Sequence, residues 1–171
     1  VDLLFLANPN NPVGNTIEDV LLEKICDRCR ERKITVVIDE CFLEFTRKKG
    51  FFETHSMQEY PNVIIMKAFT KLYAIPGVRL GFLFCGSQNK TGQIFNQLPE
   101  WNISIIAEAA GLAALDETEY CNKTISYIGK ERAYLTAELE KLGIKVYPGE
   151  ADFLLIKTDD PLYEKLLKKK I

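Results

Sequence analysis

The stretch Ile34-Thr35-Val36-Val37-Ile38, closed by Asp39, decides the fold. Five β-branched residues in a row suit a strand buried on both faces, and the acid marks where that strand ends. Upstream, Ile17 to Arg32 carries Val20, Leu21, Ile25 and Cys29 at helical spacing. Thr16 offers an N-cap for this helix, with Asp19 as its capping-box partner. Further upstream, Asn8-Pro9-Asn10-Asn11-Pro12-Val13-Gly14 forces a loop, and Leu3 to Ala7 is a short apolar strand. Strand, loop, helix, strand is a βαβ unit, which predicts an α/β fold on a parallel sheet.

Downstream, Val63 to Met66 reads as another strand, and Leu80 to Cys85 as a further one after the Pro76-Gly77 loop. Helices are expected from Lys90 to Leu98, from Ile103 to Leu115 and from Glu119 to Leu142. After Gly143 the pattern changes: Lys145-Val146-Tyr147 and Phe153-Leu154-Leu155-Ile156 read as strands, and Leu162 to Lys170 as a helix. The expected organisation is a large α/β domain over residues 1–118, a connecting helix over 119–142, and the start of a smaller α+β domain over 143–171. The chain opens inside an apolar strand without a Met and stops at Lys168-Lys169-Lys170-Ile171, so the sequence reads as a fragment with both domains incomplete.

Composition narrows the class. Apolar residues make up 47% and charged residues 27%, the balance of a globular protein. A net charge of -2 argues against a nucleic-acid surface spread over the whole chain. No apolar run approaches the roughly 18 residues that read as a membrane helix. The odd set Cys26, Cys29, Cys41, Cys85 and Cys121 predicts reduced thiols and a cytoplasmic setting.

Four polar residues fall where strands end or loops begin. Asn11 follows the first strand, Asp39 the second and Lys71 the third, while Arg79 precedes the fourth. In open α/β sheets, ligands bind at the carboxyl ends of the strands. Each residue alone has an ordinary reading: a turn asparagine, a helix cap, a solvated lysine, a surface ion-pair partner. Together they match the needs of pyridoxal phosphate. The cofactor takes an amine that a confined place keeps neutral, a carboxylate beside its ring nitrogen, a donor to its phenolic oxygen, and an arginine with hydroxyls for its phosphate. Lys71, Asp39, Asn11 and Arg79 have that chemistry in that order, and Thr70 adds a hydroxyl.

Three segments carry a resemblance: Asn10-Asn11-Pro12-Val13-Gly14, Asp39-Glu40-Cys41-Phe42, and Ala68-Phe69-Thr70-Lys71-Leu72-Tyr73-Ala74-Ile75-Pro76-Gly77-Val78-Arg79-Leu80-Gly81. They resemble, in order and spacing, the signature blocks of class I/II aminotransferases, the fold type I pyridoxal-phosphate enzymes. The resemblance covers essentially the whole chain. It implies a three-layer α/β/α large domain, Lys71 as the Schiff-base lysine and Asp39 as the partner of the ring nitrogen. It also places Asn11 near the phenolic oxygen and the substrate, and Arg79 and Thr70 near the phosphate. Within the family, Glu100-Trp101-Asn102-Ile103-Ser104 and Phe42 look most like the threonine-phosphate decarboxylase branch, which serves cobalamin biosynthesis. The histidinol-phosphate aminotransferase branch is the alternative. Phe42 stands where aminotransferases commonly carry a tyrosine whose hydroxyl reaches the cofactor.

By the same resemblance, Trp101 would line the substrate pocket, with a core or interface role as its ordinary reading. The implied substrate is a phosphorylated amino acid, and the intact protein is expected to be a homodimer. Ala68 departs from the Ser or Thr that many relatives place at the phosphate. The family's phosphate loop and ring-stacking aromatic fall before Val1, and its substrate-carboxylate arginine after Ile171. An isolated fragment is therefore expected to have weak cofactor affinity and little activity. A ligand-sensing, non-catalytic aminotransferase-like domain is the reading from another class. The C-x-x-C of Cys26 and Cys29 lacks the second pair a metal site needs, and His55 receives no role.

Overall fold

The computed structural model describes all residues from Val1 to Ile171. Four strands form the main sheet in the order β1-β2-β3-β4: Leu3–Ala7, Thr35–Asp39, Val63–Ala68 and Gly81–Cys85. The first three are parallel, with Ala7 beside Asp39 and Asp39 beside Met66. Helix α1 (Asp19–Glu31) crosses from β1 to β2 and presents Leu22, Cys26 and Cys29 to the sheet. These residues form one core with Val36, Ile38, Val63 and Ile65, which share a face because strand side chains alternate. Phe51 and Tyr60 close that core from the connection between β2 and β3, which holds the short helix α2 (Phe51–Thr54) between two 3-10 turns, Leu43–Thr46 and Met57–Glu59.

The all-parallel expectation fails at β4, which pairs antiparallel with β3, Ala68 lying beside Gly81. Between them lie only α3 (Phe69–Leu72) and a 3-10 turn at Pro76–Val78. Neither runs back along the sheet, so the chain re-enters from the edge at which it left. A parallel return needs a crossover, usually a helix, that runs back the length of the sheet, and α3 has only four residues. The reversal brings the start of β4 to the same edge as the ends of β1, β2 and β3.

Helices α4 (Gln88–Phe95), α5 (Ile105–Leu115) and α6 (Thr118–Lys141) follow, and α6 runs for 24 residues. Strands β5 (Lys145–Tyr147) and β6 (Leu155–Lys157) form a separate antiparallel pair, followed by α7 (Leu162–Lys168). Phe153 and Leu154, expected in the last strand, stay outside it, because the Phe153 ring packs edge-on against Phe42 at 5.1 Å. The expected Thr16 cap is also absent. The helix starts at Asp19 behind Glu18, with no side-chain cap, and the Thr16 hydroxyl instead donates to Glu150 Oε1 at 3.0 Å. No helix is long and apolar enough to cross a membrane. All five cysteines are free thiols, and burial pushes Cys26 up to about 12.

Candidate active site

The site grows from the carboxyl edge of the parallel strands. Hydrogen bonding continues one residue past each strand: Asn8 N donates to Asp39 O (2.9 Å), and Glu40 N donates to Met66 O (2.9 Å). The three exits therefore lie side by side. The loop bearing Asn11 leaves β1, Asp39 ends β2, and Lys71 sits in α3 directly after β3. Phe69 N donates to Leu80 O (3.1 Å), which holds the start of α3 against the residue before β4. Arg79, two residues ahead of β4 and with a left-handed φ of 57°, is thereby carried to the same edge.

Asp39 and Lys71 are linked through the residues between them. Asp39 Oδ1 accepts from Cys41 N at 3.0 Å, and Lys71 Nζ lies 5.0 Å from the centre of the Phe42 ring. Burial pushes the Cys41 thiol up to about 12, and the Asp39 carboxylate beside it adds to the effect. Lys71 enters no ion pair. The confined setting expected for it is not met, because Lys71 is exposed on this chain. Thr70 beside it is buried, Asn11 is exposed on its loop, and Arg79 donates one N–H to Pro76 O at 3.1 Å. Trp101 is 92% exposed in the link between α4 and α5, so its ordinary core reading fails here. A cleft of about 500 Å³ between α6 and β5 is lined by none of these residues.

The sequence reading missed two groups at this edge. The first is the segment from Gly149 to Phe153. Gly14 and Gly149 meet so closely that a Cβ on Gly149 would stand 2.7 Å from Val13 O. Glu150 N donates to Gly14 O (2.7 Å), while Arg132 Nη1 donates to Glu150 O (2.7 Å) and Ala151 O (2.6 Å). The Glu150 carboxylate accepts from Lys48 (2.9 Å) and from Thr16. The segment is thus strapped to the Asn11 loop, and it sets Phe153 against Phe42. Burial pushes the Asp152 carboxyl up, and Lys71 is among the charges opposing this, so the strap also faces the lysine. Contacts between residues over a hundred positions apart leave no local signal in the sequence.

The strap gives a pH prediction. Burial alone would raise Glu150, but its hydrogen bonds from Lys48 and Thr16 outweigh this and hold it below the ordinary glutamate range, with Lys48 and Arg132 adding charge attraction. A carboxyl depressed in the folded state contributes stability above its unfolded pKa, and that contribution is lost as pH falls through the lowered folded value. The protection of the amides in residues 149–153 against hydrogen exchange, taken relative to the intrinsic rate at each pH, should therefore fall as pH drops through the lowered range of Glu150. In Glu150→Gln the exchange should already be fast at neutral pH and show no acid step.

The second missed group is a buried ion cluster. Glu40 is fully buried, and its Oε1 accepts from Phe51 N at 2.8 Å. Its Oε2 lies 3.1 Å from Lys67 Nζ, which also meets Glu44 Oε1 at 2.9 Å. Burial pulls Lys67 down, but the attraction of Glu44 and Glu40 outweighs it and holds the ammonium above its ordinary range. Gly50 lies against this cluster, and a Cβ there would come 2.6 Å from Glu40 Oε2. Gly50→Ala is expected to destabilise the fold by about 1–3 kcal/mol, the usual cost of overpacking, read from the urea midpoint. A lone lysine in the apolar strand Val63 to Ala68 was the available sequence signal.

Polar side chains gathered at the carboxyl edge of an open α/β sheet stand where such sheets bind their ligands. The comparisons make the class specific. The family model for aminotransferase class I and II matches residues 1–171, and the chain belongs to that family. It is 38% identical over 174 residues to the histidinol-phosphate aminotransferase of Clostridium kluyveri, covering 100% of this chain and 48% of that one. It is 34% identical over 176 residues to the threonine-phosphate decarboxylase of Salmonella typhimurium, again covering 100% and 48%. The crystal structure of the histidinol-phosphate aminotransferase from Clostridium acetobutylicum superposes with a TM-score of 0.93 at 33% identity, over 100% of this chain and 53% of that one. The chain spans about half the length of the curated relatives it matches. The enzyme from Sinorhizobium meliloti, 25% identical with a TM-score of 0.78, was crystallised in complex with pyridoxal-5'-phosphate.

Proposed function

We propose that this chain carries the lysine and the ring-nitrogen carboxylate of a pyridoxal-phosphate enzyme acting on a phosphorylated amino acid. The observation that carries this reading is the meeting of Asp39, Lys71, Thr70 and Arg79 at one sheet edge, with the amine of Lys71 in no ion pair. The chemistry of this donor set fits the cofactor. Lys71 would hold it covalently. The Asp39 carboxylate, whose Oδ1 is fixed by Cys41 N, would keep the ring nitrogen protonated. Asn11 would donate to the ring oxygen, and Thr70 and Arg79 would bind the phosphate; most of the guanidinium N–H groups are left for it, since one bond goes to Pro76 O. When bound, pyridoxal phosphate supplies an electron sink for the pair left at Cα when a bond there breaks. Lys71 then serves as the acid/base that moves the proton at Cα. Residues 1–118 are taken as the cofactor-carrying domain, α6 as the connector, and residues 143–171 as part of the smaller domain. The whole protein is taken as a cytoplasmic homodimer.

The reaction we favour is decarboxylation of threonine phosphate, as in the Salmonella relative. Phe42 supports this reading. Its ring faces Lys71 Nζ and the edge of Phe153, so it packs like an aromatic wall and brings no hydroxyl. Transamination of histidinol phosphate is the second reading, favoured by the higher identity to the Clostridium kluyveri enzyme and the 0.93 TM-score. The whole protein, loaded with pyridoxal phosphate, should release carbon dioxide from threonine phosphate without any amino acceptor. Acceptor-dependent transfer of the amino group from histidinol phosphate, with no carbon dioxide from threonine phosphate, would select the second reading.

A further inference from the structure

The buried cluster of Glu40, Lys67 and Glu44 lies directly behind the candidate site, and the chemistry proposed above does not use it. Glu40 follows Asp39 on the same chain, and its carboxylate sits on Lys67 Nζ at 3.1 Å. Lys67 lies on β3 four residues ahead of Lys71. Glu44, in the turn after Phe42, meets the same ammonium at 2.9 Å. The aromatic ring of Phe52 lies 5.7 Å from that ammonium, and Phe51 N holds the far oxygen of Glu40 at 2.8 Å. One cation therefore joins three pieces: the exit of β2, the turn that carries Cys41 and Phe42, and the strand that delivers Lys71.

Stability does not explain the cluster. Buried ion pairs gain little over apolar side chains of the same shape, and their best-attested use is to fix one arrangement among several. Here an arrangement needs fixing. β2 ends at Asp39, and the chain then leaves the sheet in a short turn with no ladder of its own. Asp39 itself is held by its ladder partners Ala7 and Met66, with Asn8 N on Asp39 O and Glu40 N on Met66 O, and past Glu40 the side-chain clamp on Lys67 is what ties the turn to β3. A shift of this turn would move Phe42, and the Cys41 N that holds Asp39 Oδ1, relative to Lys71, and displacements of about 1 Å at such a distance from the chemistry cost on the order of 10²-fold.

We propose that Lys67 is a positioning residue whose ammonium clamps Glu40 and Glu44 and thereby sets Asp39 and Phe42 against Lys71. This rests on the reading of Lys71 and Asp39 as the cofactor's lysine and carboxylate. Lys67 touches neither cofactor nor substrate and acts through those two residues. The guanidinium of an arginine can span the same two carboxylates, whereas an apolar side chain leaves Glu40 Oε2 buried without a cation.

The test uses the whole protein and pyridoxal phosphate as the probe. Cofactor affinity is read by absorbance titration, the position of the bound band is recorded, and folding is followed by circular dichroism. Lys67→Arg should keep affinity within about threefold and leave the band in place, the rescue expected of a charge-bearing clamp. The paired apolar variant Glu40→Leu with Lys67→Met should fold, since the two buried charges go together and Glu44, half-buried, keeps its contact with water. It should bind about 10- to 100-fold more weakly, the range seen when partners behind a ligand set are removed, and its band should shift. A folded double variant with wild-type affinity and band position would overturn the clamp while leaving the assignment of Lys71 intact. Failure of both variants to fold would make the cluster a folding element and overturn it too. Wild-type protein that binds no pyridoxal phosphate would remove the proposed function, and the positioning role with it.

Discussion

Lys71→Ala should abolish covalent attachment of pyridoxal phosphate and lower turnover by on the order of 10⁶-fold, the scale on which loss of a nucleophile acts. The argument starts from position. Lys71 stands in the first turn after β3, at the carboxyl edge of the parallel strands, with Asp39 on the neighbouring strand and Phe42 under its amine at 5.0 Å. Lys67, the other lysine on this stretch, is buried and held by two carboxylates, so it cannot substitute. The visible absorbance of lysine-bound cofactor should disappear while the far-ultraviolet circular dichroism stays unchanged, because Lys71 is exposed and enters no ion pair. Persistence of the band in the variant would assign it to another lysine.

Asp39→Asn is expected to have the second-largest effect. The change keeps the shape and the hydrogen bond from Cys41 N but removes the charge that would hold the ring nitrogen protonated. Loss of one preorganised electrostatic partner costs roughly 10²–10³-fold in kcat. The loss should fall on kcat more than on KM, since substrate binding does not use this carboxylate. Wild-type kcat in a folded Asp39→Asn protein would show that the carboxylate serves the turn at Cys41 and nothing further.

The sequence made the parallel core legible because its signals are local. Ile34 to Ile38 is an unbroken β-branched run and Val63 to Met66 an unbroken apolar one, and α1 shows its buried stripe at helical spacing. The edge of the sheet was legible for the same reason: Asp39, Lys71 and Arg79 stand at strand boundaries, and the order of three motifs carried the family. What stayed hidden depends on partners distant in sequence. The antiparallel turn of β4 follows from the absence of a returning helix, which no single residue announces. Thr16 carries a good capping residue's chemistry, yet its hydroxyl serves Glu150, 134 positions away. Phe153 fits a strand by pattern and leaves it to pack on Phe42. Lys67 stands out as the one charge in the apolar strand Val63 to Ala68, but Glu40 looks like an ordinary turn charge in sequence, and only the packing of Phe51 and Gly50 shows it to be buried.

The central claim, that Lys71 is the cofactor's anchor, has a direct chemical test. The whole protein is mixed with pyridoxal phosphate, reduced with borohydride to make the linkage permanent, digested, and mapped by mass spectrometry. The account predicts a pyridoxyl group on the peptide containing Lys71, with Lys67 unmodified. Modification spread over surface lysines, or a single label at any position other than Lys71, would contradict it.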